Sequence, residues 1–176
     1  MRGSNQLELY VSLIICLVLI STNAFVQQAH IYGQSNPFSS SKTCSPLPVS
    51  GITASGSDTL NPPSHAIDQN INTRWSNLGL GSWIQIDLGQ ENVICSLGIN
   101  WHRGDERINS FVISISKDGK PFTDVYSGKS DGTSLSEQNY NFEAKAGRYV
   151  RVTVNGNTQH NWVSISELKI NGYKAI

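Results

Sequence analysis

An excess of either sign of charge is the first thing this 176-residue chain lacks, since 13 Lys and Arg face 13 Asp and Glu. Nucleic-acid binders that neutralise phosphates, and proteins held to anionic membranes by polybasic patches, carry a surplus of Lys and Arg. Neither class is expected. Charged residues make up only 15% of the chain, and no segment holds a helical period for three turns. Long hydrophobic runs are missing too: the stretch Tyr10 to Ile20 has 11 residues, too few for a helix to cross a bilayer core of about 30 Å. Catalytic signatures are absent as well. There is no G-x-S-x-G elbow, HExxH pair or phosphate-cradling glycine loop. The adjacent acids Asp105 and Glu106 would project oppositely from extended backbone, so they do not form a carboxylate pair across a cleft. His65, His102 and His160 lack zinc-site spacing. An enzyme is not expected.

What is present is turn and strand chemistry, with 24 Ser, 16 Asn and 15 Gly. With 38% hydrophobic residues the chain can still fill a core, and its length suits one folded domain. Arg2, the apolar run and the small residues Thr22-Asn23-Ala24 make residues 1–24 a secretory signal peptide. Glu8 weakens the basic start, and an uncleaved cell-surface anchor is the alternative. Residues 25–43 lack periodicity and are rich in Ser, Gln and Asn, which reads as a flexible tether. The folded domain is assigned to residues 44–176. Loss of the signal removes Cys16 and leaves Cys44 and Cys95, 51 residues apart. In an exported chain one disulfide between them is expected; the other reading is a buried thiol at Cys95 with Cys44 free.

Within the domain, short segments alternate with a period of two: Trp83 to Leu88, Val93 to Trp101, Phe111 to Ser116, Phe122 to Tyr126, Tyr140 to Phe142, Arg148 to Val154 and Ser164 to Tyr173. These read as half-buried strands, and Asp118-Gly119 is a hairpin signal. Seven or eight strands in one domain point to an all-β fold, an antiparallel β-sandwich.

Five ordered motifs then narrow the reading. The run Ala66-Ile67-Asp68-Gln69-Asn70-Ile71-Asn72-Thr73-Arg74-Trp75 resembles the A-x-D-G-N-x-x-T-R-W signature of discoidin, or coagulation-factor type C, domains. Trp83 to Gly89, Ile113 to Gly119, Arg148 to Val152 and Ile165 to Leu168 resemble the strands that follow it in that family. Further likenesses, in T-R-W-S-N-x-G-x-G-S-W, W-x-R-G-x-x-R and N-G-N-T-x-x-N-W, are with family 32 carbohydrate-binding modules, especially those attached to polysaccharide lyases. The resemblance implies a jelly-roll sandwich of about eight strands that binds glycans with loops at one end. Galactose-binding members often carry His directly after T-R-W; here that residue is Ser76, so galactose is not the expected sugar.

Asp68, Asn70 and Thr73 place three oxygen-bearing side chains in one tight turn, which suits a hard cation such as Ca²⁺. The resemblance adds Glu167 and the carbonyls of Ile67 and Ser166 to that ligand set. Gln69 stands where the family usually has Gly, whose freedom at positive φ the turn would use. An Asx turn without metal is the other reading. Two loops carry the candidate sugar site: Trp101, His102, Arg103 and Arg107 in the first, and Asn155, Asn157, His160 and Asn161 in the second. Aromatic faces suit the C–H surface of sugars, amides and guanidinium forks suit hydroxyls, and paired Arg103 and Arg107 suit a uronate carboxylate. Those arginines could equally pair with Asp105 or Glu106, and Trp75, Trp83 and Trp101 could be core. Glycans, with acidic uronate-containing polysaccharides among them, are the expected partners, and nucleic acid is not. Membrane lipid is a poor fit because the loops lack apolar spikes ringed by cations; adhesion to a protein or an anionic lipid surface is the rival function.

Overall fold

The computed structural model describes residues 42–175, so the signal-peptide assignment, Cys16 and nearly all of the tether lie outside the described residues. The domain is built from eight antiparallel strands: β1 (Ser45–Pro46), β2 (Gly51–Ala54), β3 (Trp75–Leu78), β4 (Ser82–Trp101), β5 (Asn109–Ser116), β6 (Thr123–Lys129), β7 (Gln138–Asn157) and β8 (Trp162–Lys174). A single 3₁₀ turn, Pro63–Ala66, is the helical content of the described residues. The pairing order β1-β8-β4-β7-β5-β6, with β2 added to β4 and β3 to β8, is that of an antiparallel β-sandwich whose long strands serve both layers.

The expected alternation is visible in burial. Along β4, Ile84, Ile86 and Leu88 are buried while Trp83, Gln85 and Asp87 face outward. Register aligns these positions across strands, so that Ile84, Val152 and Ile113 form one inward row and Ile86, Val150 and Ile115 the next. The second half of β4 contributes Leu97 and Ile99, paired to Ile170 and Leu168 of β8. Rows of β-branched residues meeting face to face supply the core.

Two differences from the sequence reading have a physical origin. Trp83–Leu88 and Val93–Trp101 are one strand, because the chain passes Gly89 through a register shift instead of reversing; Tyr140–Phe142 and Arg148–Val154 are likewise joined in β7. A second irregularity in β4 skips Cys95 between Ile94 and Ser96, and Cys95 there forms a disulfide with Cys44. The bond ties the start of the domain to its central strand. Closing a 51-residue separation contributes about 4 kcal/mol by restricting the unfolded chain.

Candidate functional site

The two loops chosen from sequence are neighbours in space. The Gln159 side chain donates to the Glu106 carbonyl (3.1 Å), the Ile108 amide donates to the Thr158 hydroxyl (3.2 Å), and the Thr158 amide donates to the Ile108 carbonyl (3.1 Å). Within the first loop, Gly104 and Glu106 amides donate to the Trp101 and Arg103 carbonyls, and Arg103 takes a left-handed φ of 52°. Gly104 is required by close approach: a Cβ there would lie 2.5 Å from the Ser134 carbonyl oxygen.

Between the loops lies an open cleft of about 340 Å³ to which His102, Arg103, Arg107 and His160 all contribute. Five residues not chosen from sequence join them, Asp58, Arg74, Ser76, Trp162 and Ser164. Arg74 belongs to the signature run. Alternation puts Trp75 in the core, where it is fully buried, and sends Arg74 and Ser76 the other way, the Arg74 Nε donating to the Ser76 hydroxyl at 3.2 Å. Ser76 in turn shares a hydrogen bond with Ser164 across the β3–β8 pair (2.7 Å). Trp162 is 39% exposed and presents an aromatic surface to the cleft.

The cleft is electrostatically one-sided. Arg107 is only 8% exposed and makes no ion pair among the described residues; its buried Nε has no hydrogen-bond partner. Burial, then the charge of Arg103, holds its pKa below the ordinary guanidinium range. Arg103 meets Glu106 at 3.6 Å, both side chains about half exposed, a contact of little energetic weight. His102 is pushed down to about 4, first by burial and then by Arg74, Arg107 and Arg103, so it is neutral at physiological pH. The His160 Nδ1 accepts from the Trp162 amide (3.2 Å), which leaves its ring proton on Nε2.

Four sequence choices lie outside this cleft. Trp101 is 1% exposed and donates through its indole to the Tyr140 hydroxyl (2.9 Å), so it supports the loop from the core and does not line this cleft. The Asn157 amide is spent inside its own loop, donating to the Trp162 carbonyl (2.7 Å) and accepting from the Gln159 and His160 amides. Asn155 lines a separate shallow hollow with Ile108 and Lys129. Asn161 is exposed, and its carbonyl accepts from the Gly79 amide, but it does not line the cleft.

The acidic turn is also assembled. The Thr73 hydroxyl donates to Asp68, and the Asn70 amide lies within hydrogen-bond distance of both the Asp68 and Glu167 carboxylates (2.9 and 3.0 Å). Burial and the hydrogen bond to Asp68 raise Glu167 to about 7. Burial would raise Asp68 as well, but Thr73 and the Asn70 amide outweigh it and hold Asp68 below the usual carboxylate value. Asn70 turns its side-chain oxygen to the Asn72 amide (3.1 Å), so it shapes the turn. Asn100 pairs with Glu167 and Trp101 with Ile165, which leaves Ser166 as the extra residue of a bulge, out of the ladder. Gln69 has φ 62°, the conformation that glycine would take without strain.

This antiparallel sandwich, with a cleft formed between loops, has the architecture of a discoidin-like domain. The chain belongs to the F5/8 type C domain family, whose sequence profile matches residues 51–168. Among solved structures it is similar to the CBM32 of AlyQ in complex with 4,5-unsaturated mannuronic acid, at 38% identity and a TM-score of 0.70 over 72% of this chain and 97% of that one. A truncated AlyQ with CBM32 and alginate lyase domains matches at 36% identity and a TM-score of 0.72, over 77% of this chain and 35% of that longer one. A pectin-binding carbohydrate-binding module matches at 27% identity and a TM-score of 0.68, over 74% and 95%. The comparison with curated proteins finds no match.

Proposed function

We propose that this domain is a secreted, non-catalytic carbohydrate-binding module that holds uronate-containing glycans in the arginine-lined cleft. Arg107 carries the reading. Its buried Nε has no hydrogen-bond partner among the described residues, which costs about 1–3 kcal/mol, and no carboxylate pairs with its guanidinium there. A ligand carboxylate would supply the missing acceptor in the two-pronged geometry that guanidinium favours. Arg74 and Arg103 add positive charge against Asp58 and Glu106. Trp162 offers a face for the sugar's C–H surface, and Ser76 and the His160 Nε2–H suit hydroxyls. The similarity to modules solved with a mannuronic acid derivative and described as pectin-binding supports the same ligand class, since both polymers are built on uronates. Export fits the disulfide.

Calcium is the second part of the proposal. Asp68, Glu167 and Thr73 form an all-oxygen donor set in which two carboxylates meet at the Asn70 amide. A divalent hard ion would resolve that repulsion, with the Ile67 and Ser166 carbonyls as further ligands. Bound there, it would brace the turn that leads into Arg74 and take no part in chemistry.

The decisive experiment is calorimetric titration in calcium with oligomannuronate, oligogalacturonate and a neutral oligosaccharide. Binding to an acidic glycan that Arg107→Ala removes is expected. Equal binding of neutral glycans, or capture by anionic vesicles with no response to any uronate, would overturn the reading.

A further inference from the structure

We propose that the cleft continues over Arg103 into a second subsite, so that the domain grips an internal stretch of an acidic chain and not one sugar alone. This rests on the uronate reading above. A second hollow, of about 360 Å³, opens beside the first, walled by Ile71, Asn72 and Leu135 and floored by Trp101 and Ser166. His102 and Arg103 line both hollows, so the two are continuous across one ridge. Ile71 and Leu135 are 51% and 57% exposed, large apolar side chains that the core does not use.

Both walls are fixed in place. The Leu135 carbonyl accepts from the Asn100 side chain (3.3 Å), and the missing Cβ at Gly104 lets the neighbouring Ser134 carbonyl pack against the arginine loop. Ile71 sits in the turn tied to β8 through Asn70 and Glu167. The ridge itself is ready to exchange partners, because the exposed Arg103–Glu106 contact at 3.6 Å is easily surrendered to a ligand acid.

This arrangement matches what a uronate polymer repeats. Each sugar brings one carboxylate and one apolar C–H face. With a first carboxylate on Arg107, the next residue's carboxylate meets Arg103, and the ring beyond lies on Ile71 and Leu135. Preformed walls limit the ordering cost of the longer ligand.

The test is titration with oligomannuronates of one to six residues against wild type and two variants, Leu135→Ser and Ile71→Ser. Leu135 is exposed, so its loss leaves the fold intact, and it stands apart from the acidic turn that Ile71→Ser could disturb. Wild-type affinity should rise with chain length and then level off. Leu135→Ser should lower affinity for the longer oligomers about fivefold and leave that for the single sugar unchanged. Length-independent affinity in wild type, or a Leu135→Ser effect equal at all lengths or absent, overturns the second subsite while the uronate reading stands. Failure of every length of both oligomannuronate and oligogalacturonate to bind overturns both.

Discussion

The arginine cleft and the acidic turn share one defect with opposite sign. Around Arg107, guanidinium groups gather with too few acids; around Glu167, two carboxylates gather on one amide, that of Asn70. The paired acid and base of the scaffold look different. Arg148 grips Asp87 through two parallel hydrogen bonds of 2.7 and 2.8 Å, and the Gly89 amide completes the carboxylate's shell. A charge that serves the fold is matched within the fold. Where like charges are gathered and left unmatched at the ends of strands, the structure is spending stability, and a ligand of opposite charge is the economical explanation.

That contrast is most easily broken at Arg107. Arg107→Ala should weaken uronate binding by about a hundredfold or more, the range for removing one partner of a desolvated charge pair. Arg107→Met should do the same while keeping or raising the melting temperature of the free domain, because an unpaired buried charge has been replaced by an apolar chain. A clear loss of thermal stability in Arg107→Met would instead make Arg107 a structural residue.

The acidic turn makes the mirror prediction. Calcium at about a hundred times its dissociation constant should stabilise the domain by about 2.7 kcal/mol, or about 10 °C in melting temperature. Glu167→Gln should abolish that response, yet leave the calcium-free protein no less stable, since it relieves the carboxylate pair. Differential scanning fluorimetry with calcium and with a chelator reads both. A melting temperature indifferent to calcium in wild type would remove the metal from the turn.

A smaller effect is expected one residue away. Gln69→Gly should stabilise the domain by about 1 kcal/mol, because a left-handed backbone costs a side chain about that much and Gln69 has φ 62°. Chemical denaturation would measure it. Destabilisation would mean that the Gln69 side chain contributes contacts that outweigh its backbone strain.

The legibility of this molecule in its sequence followed the range of the interactions. Strand alternation, a property of neighbours, was readable from Trp83 to Leu88, and so were the all-β class and the Cys44–Cys95 bond. His102, Arg103, Arg107 and His160 were readable because polar and charged residues crowd two short loops. Arg74 was missed as a cleft residue although it stands in the signature run. Its place depends on β3 pairing with β8, a contact that local pattern does not encode. Asn157 was misread for a related reason: an amide in a loop looks free until the loop's own carbonyls and amides are seen to consume it. Trp101 looked like a platform because it opens the loop, but it is the last inward residue of β4.

The scaffold pair supplies the smallest effect and the control for the others. Its carboxyl, Asp87, is held below the ordinary value of 3.8, first by the hydrogen bond from Arg148 and further by the Gly89 amide. A depressed folded value means that the contribution to stability is complete above the unfolded value and is lost as pH falls through the folded one. Between about pH 6 and pH 3, wild type should therefore lose thermal stability more steeply than Asp87→Asn. The substitution should leave glycan affinity unchanged, because neither Asp87 nor Arg148 lines the cleft. Melting curves across that range, beside one titration at neutral pH, separate the two kinds of charge. If Asp87→Asn weakened binding while Arg107→Met weakened the fold, the division between matched scaffold charges and unmatched ligand charges would be the wrong way round.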